Sequence, residues 1–173
     1  HSYTDRRTQK VWDCISIYDA YKKYQWGGKG FQKNAETLDK LSSDLKNGIE
    51  NKDTAKCSTA CLEILRWGGV LRGNREKIKG SESLVQYLKD AKKKLATGKI
   101  ESRDFYKEVY MNSGFTKIYS LYMDDFIIYD SRVGAALGFL VRRYCEEKKL
   151  DKIPELLRFA YGNSKGGTNR NPS

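Results

Sequence analysis

The chain has 173 residues, enough for one domain of ordinary size with a buried core. Lys and Arg number 33 against 22 Asp and Glu, and the formal net charge of +11 favours an anionic partner such as nucleic acid. No apolar run approaches the ~18 residues of a membrane span, and no signal-peptide core is visible. Composition therefore predicts a soluble cytoplasmic protein without a membrane partner, associated with the nucleoid if the source is prokaryotic.

The cysteines and the histidine give no pattern typical of a metal site. No two cysteines are spaced as a CxxC pair, and the one histidine is His1. The cysteines are Cys14, Cys57, Cys61 and Cys145. We therefore predict no metal and no cofactor. The four thiols are expected to be reduced and mostly in the core, with a disulfide as the less favoured alternative.

The first half of the chain shows apolar residues at helical spacing. Residues 5–24, 34–47 and 54–67 are each predicted to form a helix. Trp-Gly-Gly follows the first of these helices, at Trp26, and ends the third, at Trp67. The residues around the two segments differ, so we interpret them as two similar helix ends and not as an internal repeat.

Basic residues cluster at these helix ends. Residues 21–33 contain four lysines and no acid, and residues 66–80 contain five basic residues against Glu76 alone. Tryptophans in such surroundings suit either core packing or stacking on nucleic-acid bases. The lysines at 92–94, on a further predicted helix, are more typical of a solvated face.

The second half is organised around Lys117 and Asp130. A short helix, a turn at residues 112–114 and a second helix bearing Lys117 form a helix-hairpin-helix pattern. Residues 123–125 break the second helix, and Asp130 is predicted to be the N-cap of the next one. Pro154 opens a last short helix. The fold class is therefore all-α with about seven or eight helices and no substantial sheet.

This arrangement has a specific chemistry. Backbone N–H groups at the second helix of a hairpin favour phosphate, because the helix dipole is positive there. A lysine one turn later, facing a carboxylate, forms an amine and acid pair. Such a lysine can attack a sugar C1′ and form a Schiff base if burial or positive charge lowers its pKa.

Residues 102–144 resemble the helix-hairpin-helix DNA glycosylases, the superfamily of 8-oxoguanine DNA glycosylase and endonuclease III. That family has a hairpin of the type Leu-Pro-Gly-Val-Gly-Thr-Lys, followed by Val-Asp-x-His-Val at the start of a helix. The corresponding segments here are Met111-Asn112-Ser113-Gly114-Phe115-Thr116-Lys117 and Tyr129-Asp130-Ser131-Arg132-Val133. Ser113 and Phe115 replace the two hairpin glycines, and Leu121 stands where 8-oxoguanine glycosylases have a pocket cysteine.

The resemblance implies a DNA glycosylase with AP lyase activity that excises a damaged or modified base. Lys117 would be the Schiff-base nucleophile, and Asp130 would assist by stabilising the sugar cation. DNA-binding residues would be Gly114, Phe115, Thr116, Arg132, Lys29, Arg66 and Arg72. The flipped base would meet Trp26, Trp67 and Leu121.

The expected partner is double-stranded DNA with a flipped nucleotide, bound by a monomer. We predict one helical domain over residues 1–173, or two lobes, 1–100 and 101–160, about a cleft. Residues 161–173 are predicted to be a flexible basic arm. Two alternatives are a non-enzymatic DNA-binding domain of the same fold in a larger assembly and a protein-interaction module.

Overall fold

A computed structural model describes residues 2–4, 9–80, 83–97 and 105–159. Within these ranges the chain is mostly helical, which confirms the all-α class. The elements in chain order are β1 (Ser2–Thr4), β2 (Val11–Asp13), α1 (Ile17–Lys22), α2 (Phe31–Glu50), α3 (Thr54–Trp67), α4 (Arg75–Lys79), α5 (Leu84–Ala96), α6 (Phe105–Glu108), α7 (Phe115–Tyr122), α8 (Ser131–Glu147) and a 3-10 turn (Glu155–Leu157).

The core lies where α2 and α3 pack along each other and α5 and α7 cover them. Gly48 allows the close approach of α2 to α3, because a Cβ there would lie 2.8 Å from the Cys57 backbone nitrogen. The buried face of α3 repeats at helical spacing, which is why an amphipathic helix forms here. Its buried residues are Cys57, Ala60, Cys61, Ile64 and Leu65.

Helix α3 begins and ends where the sequence predicts. Asp53 is its N-cap, and Asp53 Oδ1 accepts a hydrogen bond of 2.9 Å from Lys56 N. Helix α2 is longer than the predicted 34–47 and runs from Phe31 to Glu50. All four cysteines are buried, and none of them is joined to another in a disulfide.

The helix predicted over residues 5–24 is wrong in its first part. Residues Val11–Asp13 pair as an antiparallel strand with Ser2–Thr4, and α1 begins only after Ser16, whose Oγ accepts from Asp19 N at 3.0 Å. The apolar spacing in this segment does not mark a core face, because Val11 is 67% exposed and Ile15 is 93% exposed.

Helix α8 follows Asp130 as predicted, but its apolar residues do not all face the core. Its buried residues are Gly134, Gly138 and Cys145, whereas Leu140 and Tyr144 are exposed. Pro154 precedes the 3-10 turn. The predicted arm, 161–173, lies outside the described residues, and the choice between one domain and two lobes stays a prediction. None of the described helices has both the length and the apolar character needed to cross a membrane.

Candidate active site

Lys117 and Asp130 meet where α7 and α8 come together. Lys117 lies on the first turn of α7 and is 4% exposed. Its Nζ donates hydrogen bonds to the Ser113 carbonyl oxygen at 3.0 Å and to Asp130 Oδ2 at 3.2 Å. The two residues singled out from the sequence are therefore a hydrogen-bonded ion pair in which the lysine is buried and the aspartate is half-buried.

Asp130 is both the N-cap of α8 and the counterion of the lysine. Its Oδ1 accepts from Arg132 N at 2.9 Å and from Val133 N at 3.3 Å, while Oδ2 accepts from Lys117. Burial raises the pKa of the Asp130 carboxyl, but hydrogen bonds from Arg132 N, Lys117 Nζ and Val133 N outweigh it, so the net pKa is lowered. Asp130 is therefore held as a carboxylate.

Arg132 and Trp26 lie beside this pair. The Arg132 guanidinium stands 4.8 Å from the centre of the Trp26 ring, a cation–π geometry, and its Nη1 is 3.8 Å from Asp130 Oδ2. The Arg132 side chain is 71% exposed. It places an exposed positive charge next to the half-buried carboxylate.

The two tryptophans contact each other although they are far apart in the sequence. Trp26 Nε1 donates to the Trp67 carbonyl oxygen at 2.9 Å, and the ring centroids are 6.1 Å apart. Both rings are half-buried. The structure thus brings Trp26 and Trp67 together at the end of α3. Trp26 also contacts Arg132.

Asn34 holds this tryptophan pair, and the sequence reasoning missed it. It is 4% exposed, its Oδ1 accepts from Trp67 Nε1 at 3.0 Å, and its Nδ2 lies within 3.2 Å of the carbonyl oxygens of Trp26, Lys29 and Gly30. No sequence signal separates a buried asparagine in a helix from an exposed one. Lys29 is exposed, and it lies on the turn over residues 26–30 whose carbonyl oxygens accept from Asn34.

The hairpin differs from the DNA-contacting surface that the resemblance implies. Gly114 N and Phe115 N both donate to Asn112 Oδ1, at 2.9 and 3.0 Å, so these amides are already occupied. Gly114 is buried, Phe115 is 0% exposed, and Thr116 is 2% exposed with Oγ1 donating to the Tyr129 carbonyl oxygen. These residues expose little surface in this conformation, and their assignment as DNA-binding residues stays a prediction.

A second asparagine lies behind the hairpin. Asn74 is 6% exposed, accepts from Asn112 Nδ2 at 3.0 Å and donates to the Val70 carbonyl oxygen at 2.9 Å. Gly114 packs against it, because a Cβ on Gly114 would lie 2.4 Å from Asn74 Nδ2. The glycine at the hairpin therefore serves close packing.

The remaining predicted site residues are dispersed. Arg66 is exposed and forms an ion pair of 2.8 Å with Glu63, and Arg72 is exposed in the loop after α3. Arg66 and Trp67 line an open groove of about 800 Å³ between α2 and α3, which Lys117 and Asp130 do not line. Leu121 packs against the hydrophobic core, and its carbonyl oxygen accepts from Ser42 Oγ at 2.6 Å.

Among the described residues, no three His, Cys, Asp or Glu side chains come together in a way that could hold a metal ion. No protein-family model matches the chain, and comparisons with curated proteins and with solved structures give no significant match.

Proposed function

We propose that this protein is a DNA glycosylase with associated AP lyase activity, in which Lys117 is the nucleophile and Asp130 assists it. The observation that carries the proposal is the Nζ to Oδ2 hydrogen bond of 3.2 Å between two side chains that are 5% and 15% exposed. A lysine amine can form a Schiff base at a sugar C1′, and an adjacent carboxylate can accept its proton.

In the proposed reaction Lys117 Nζ forms a bond to C1′ while the bond from C1′ to the base breaks, and the base leaves with the bonding electrons. Nζ must lose a proton to become a nucleophile, and the hydrogen-bonded Asp130 Oδ2 can receive it transiently. Because the pKa of Asp130 is lowered, this carboxylate is a weak base. It is better suited to stabilising the positive charge that develops on the sugar.

In the proposed complex, DNA approaches Lys117 past Trp26 and Arg132, which lie beside the Lys117 and Asp130 pair. The exposed Arg132 guanidinium offers a charge for a backbone phosphate, and the half-buried Trp26 ring offers a face for a base. Because Lys117 is nearly enclosed, we expect binding of an extrahelical sugar to break its hydrogen bond to the Ser113 carbonyl oxygen.

Borohydride trapping on abasic and damaged-base duplexes tests the proposal. The wild-type protein is expected to give a covalent DNA adduct that is absent in Lys117→Gln. Lys93→Gln, at a lysine whose side chain is 79% exposed on α5, should retain the adduct. An adduct that persists in Lys117→Gln would assign the nucleophile elsewhere. No adduct and no base release on a broad panel, with DNA binding intact, would overturn the enzymatic proposal.

The second candidate is a non-enzymatic DNA-binding domain acting in a larger assembly. It is favoured by the burial of Lys117, because two hydrogen bonds and a counterion also describe a structural ion pair. Arg132 and Lys29 would still bind DNA in this case. A protein-interaction module, the third candidate, predicts DNA binding too weak to survive ~0.15 M salt.

A further inference from the structure

The two glycines that follow Trp67 are required for different reasons. Gly69 has φ +67°, in the left-handed region that favours glycine. Gly68 has φ −75° and ψ −6°, which any L-residue adopts without strain. The backbone therefore explains the glycine at position 69 and does not explain the one at position 68.

What distinguishes Gly68 is the side chain that crosses it. A Cβ at Gly68 would lie 2.6 Å from Lys117 Cδ and 2.9 Å from Lys117 Cε, well inside the ~3.5–4.0 Å at which carbon atoms pack. A Cβ at Gly69 would meet nothing within 4 Å, and the same holds for Gly27 and Gly28 in the first Trp-Gly-Gly segment. The two segments are alike in sequence, but only Gly68 borders the lysine.

The lysine stem cannot move aside without losing its partners. Nζ is held by the Ser113 carbonyl oxygen and by Asp130 Oδ2, and the side chain is 5% exposed. A side chain at position 68 would displace Cδ and Cε by about 1 Å to restore ordinary carbon contact, and Nζ would follow. The distance from Nζ to the Asp130 carboxylate therefore depends partly on the absence of a side chain at position 68, the C-cap of α3.

We propose that Gly68 is a positioning residue whose missing side chain admits the Lys117 stem and sets its amine against Asp130. The catalytic consequence rests on the proposed function, whereas the steric consequence does not. The two can therefore be measured separately.

Urea unfolding tests the steric part. Gly68→Ala is compared in three backgrounds: wild type, Lys117→Met, which keeps atoms at the Cδ and Cε positions, and Lys117→Ala, which removes them. Both lysine variants lose the ammonium group, so they differ in the stem alone. Gly68→Ala should lower the unfolding midpoint most in wild type, less in Lys117→Met, whose stem has no hydrogen bonds to hold it over Gly68, and not at all in Lys117→Ala. A loss in Lys117→Ala as large as that in wild type, or no loss in wild type, would overturn the proposal.

Borohydride trapping tests the catalytic part. A displacement of 1 Å can cost about 100-fold in rate, so Gly68→Ala should slow adduct formation by about that factor while DNA affinity stays unchanged. Gly69→Ala strains the backbone but meets nothing near the lysine, and it should trap at the wild-type rate. Wild-type trapping by Gly68→Ala would overturn a positioning role. If wild type itself gives no adduct, the proposed function fails, and the unfolding comparison alone decides the role of Gly68.

Discussion

Asp130 has two functions in the folded protein, and replacement by asparagine separates them. Asparagine keeps an acceptor for the Arg132 and Val133 amides but removes the charge facing Lys117. Lys117 is buried but Asp130 is only partly buried, so loss of the counterion in Asp130→Asn should lower the free energy of unfolding by about 2 kcal/mol at pH 7. Urea unfolding at a series of pH values measures the difference.

The difference should depend on pH in a defined direction. The pKa of Asp130 is lowered in the folded state, with burial opposing the hydrogen bonds that lower it. The charge therefore stabilises the fold above the unfolded pKa of ~3.9, and that contribution is lost as pH falls through the lower, folded pKa. Asp124→Asn is the control, because Asp124 pairs with Lys46 at the surface and its side chain is 89% exposed. This substitution should change the free energy of unfolding little. A gap between wild type and Asp130→Asn that is the same at pH 3 and pH 7 would refute this account.

At the residue scale, the sequence predicts what local pattern determines. Asp130 could be recognised as an N-cap because the signal lies within its own helix start. Its pairing with Lys117 is predicted by the hairpin pattern, which places a lysine one turn into a helix opposite the next N-cap, and also by the resemblance to a known family. Gly68 and Asn34 could not be predicted, because their roles depend on Lys117 and on Trp26 and Trp67, which the fold alone brings near.

At the level of elements, the start of α7 depends on one asparagine. Asn112 Oδ1 accepts from Gly114 N and Phe115 N, and its Nδ2 donates to Asn74. Asn112→Ala would leave these amides without an acceptor, and we expect a loss of about 2 kcal/mol in the free energy of unfolding. Because the first turn of α7 loses these hydrogen bonds, amide hydrogen exchange in α7 should also accelerate. Lys117 lies on this turn.

Asn51→Ala provides the matched control for Asn112. Asn51 is exposed at the end of α2, and its Nδ2 donates to the Asn47 carbonyl oxygen at 3.0 Å. Water can replace that hydrogen bond, so the variant should be close to wild type in both measurements. Equal destabilisation by the two asparagine variants would show that the buried hairpin contacts carry no special weight.

The elements differ in how far the sequence predicted them. The limits of helix α3 agree with the prediction, because its apolar spacing and its N-cap mark the same segment. In α8 the same kind of spacing predicted the helix but not its buried side, since Gly134 and Gly138 face inward and Leu140 is exposed. Strand β2 was missed because a three-residue pairing leaves no periodic signal that competes with helical spacing.

At the scale of the whole molecule, the excess of positive charge follows directly from the residue counts. The net charge of +11 says nothing about where the charge lies, and the fold supplies that. Arg66 is balanced by Glu63, whereas Lys29 forms no side-chain ion pair with any other described residue. Lys29 also lies on the turn of Trp26, which contacts Arg132. This turn is therefore the part of the surface where we expect backbone phosphates to lie.

The salt dependence of DNA binding tests this placement. Each phosphate contact contributes about 0.9 to the slope of log affinity against log salt, so Lys29→Ala should reduce that slope by about 0.9 and weaken binding at low salt. Lys93→Ala removes the same charge from the outer face of α5 and should leave the slope unchanged. Titration of a fluorescent duplex at several salt concentrations measures both variants. Equal reductions would mean that binding responds to total charge, and an effect of Lys93→Ala alone would move the DNA-binding face to α5.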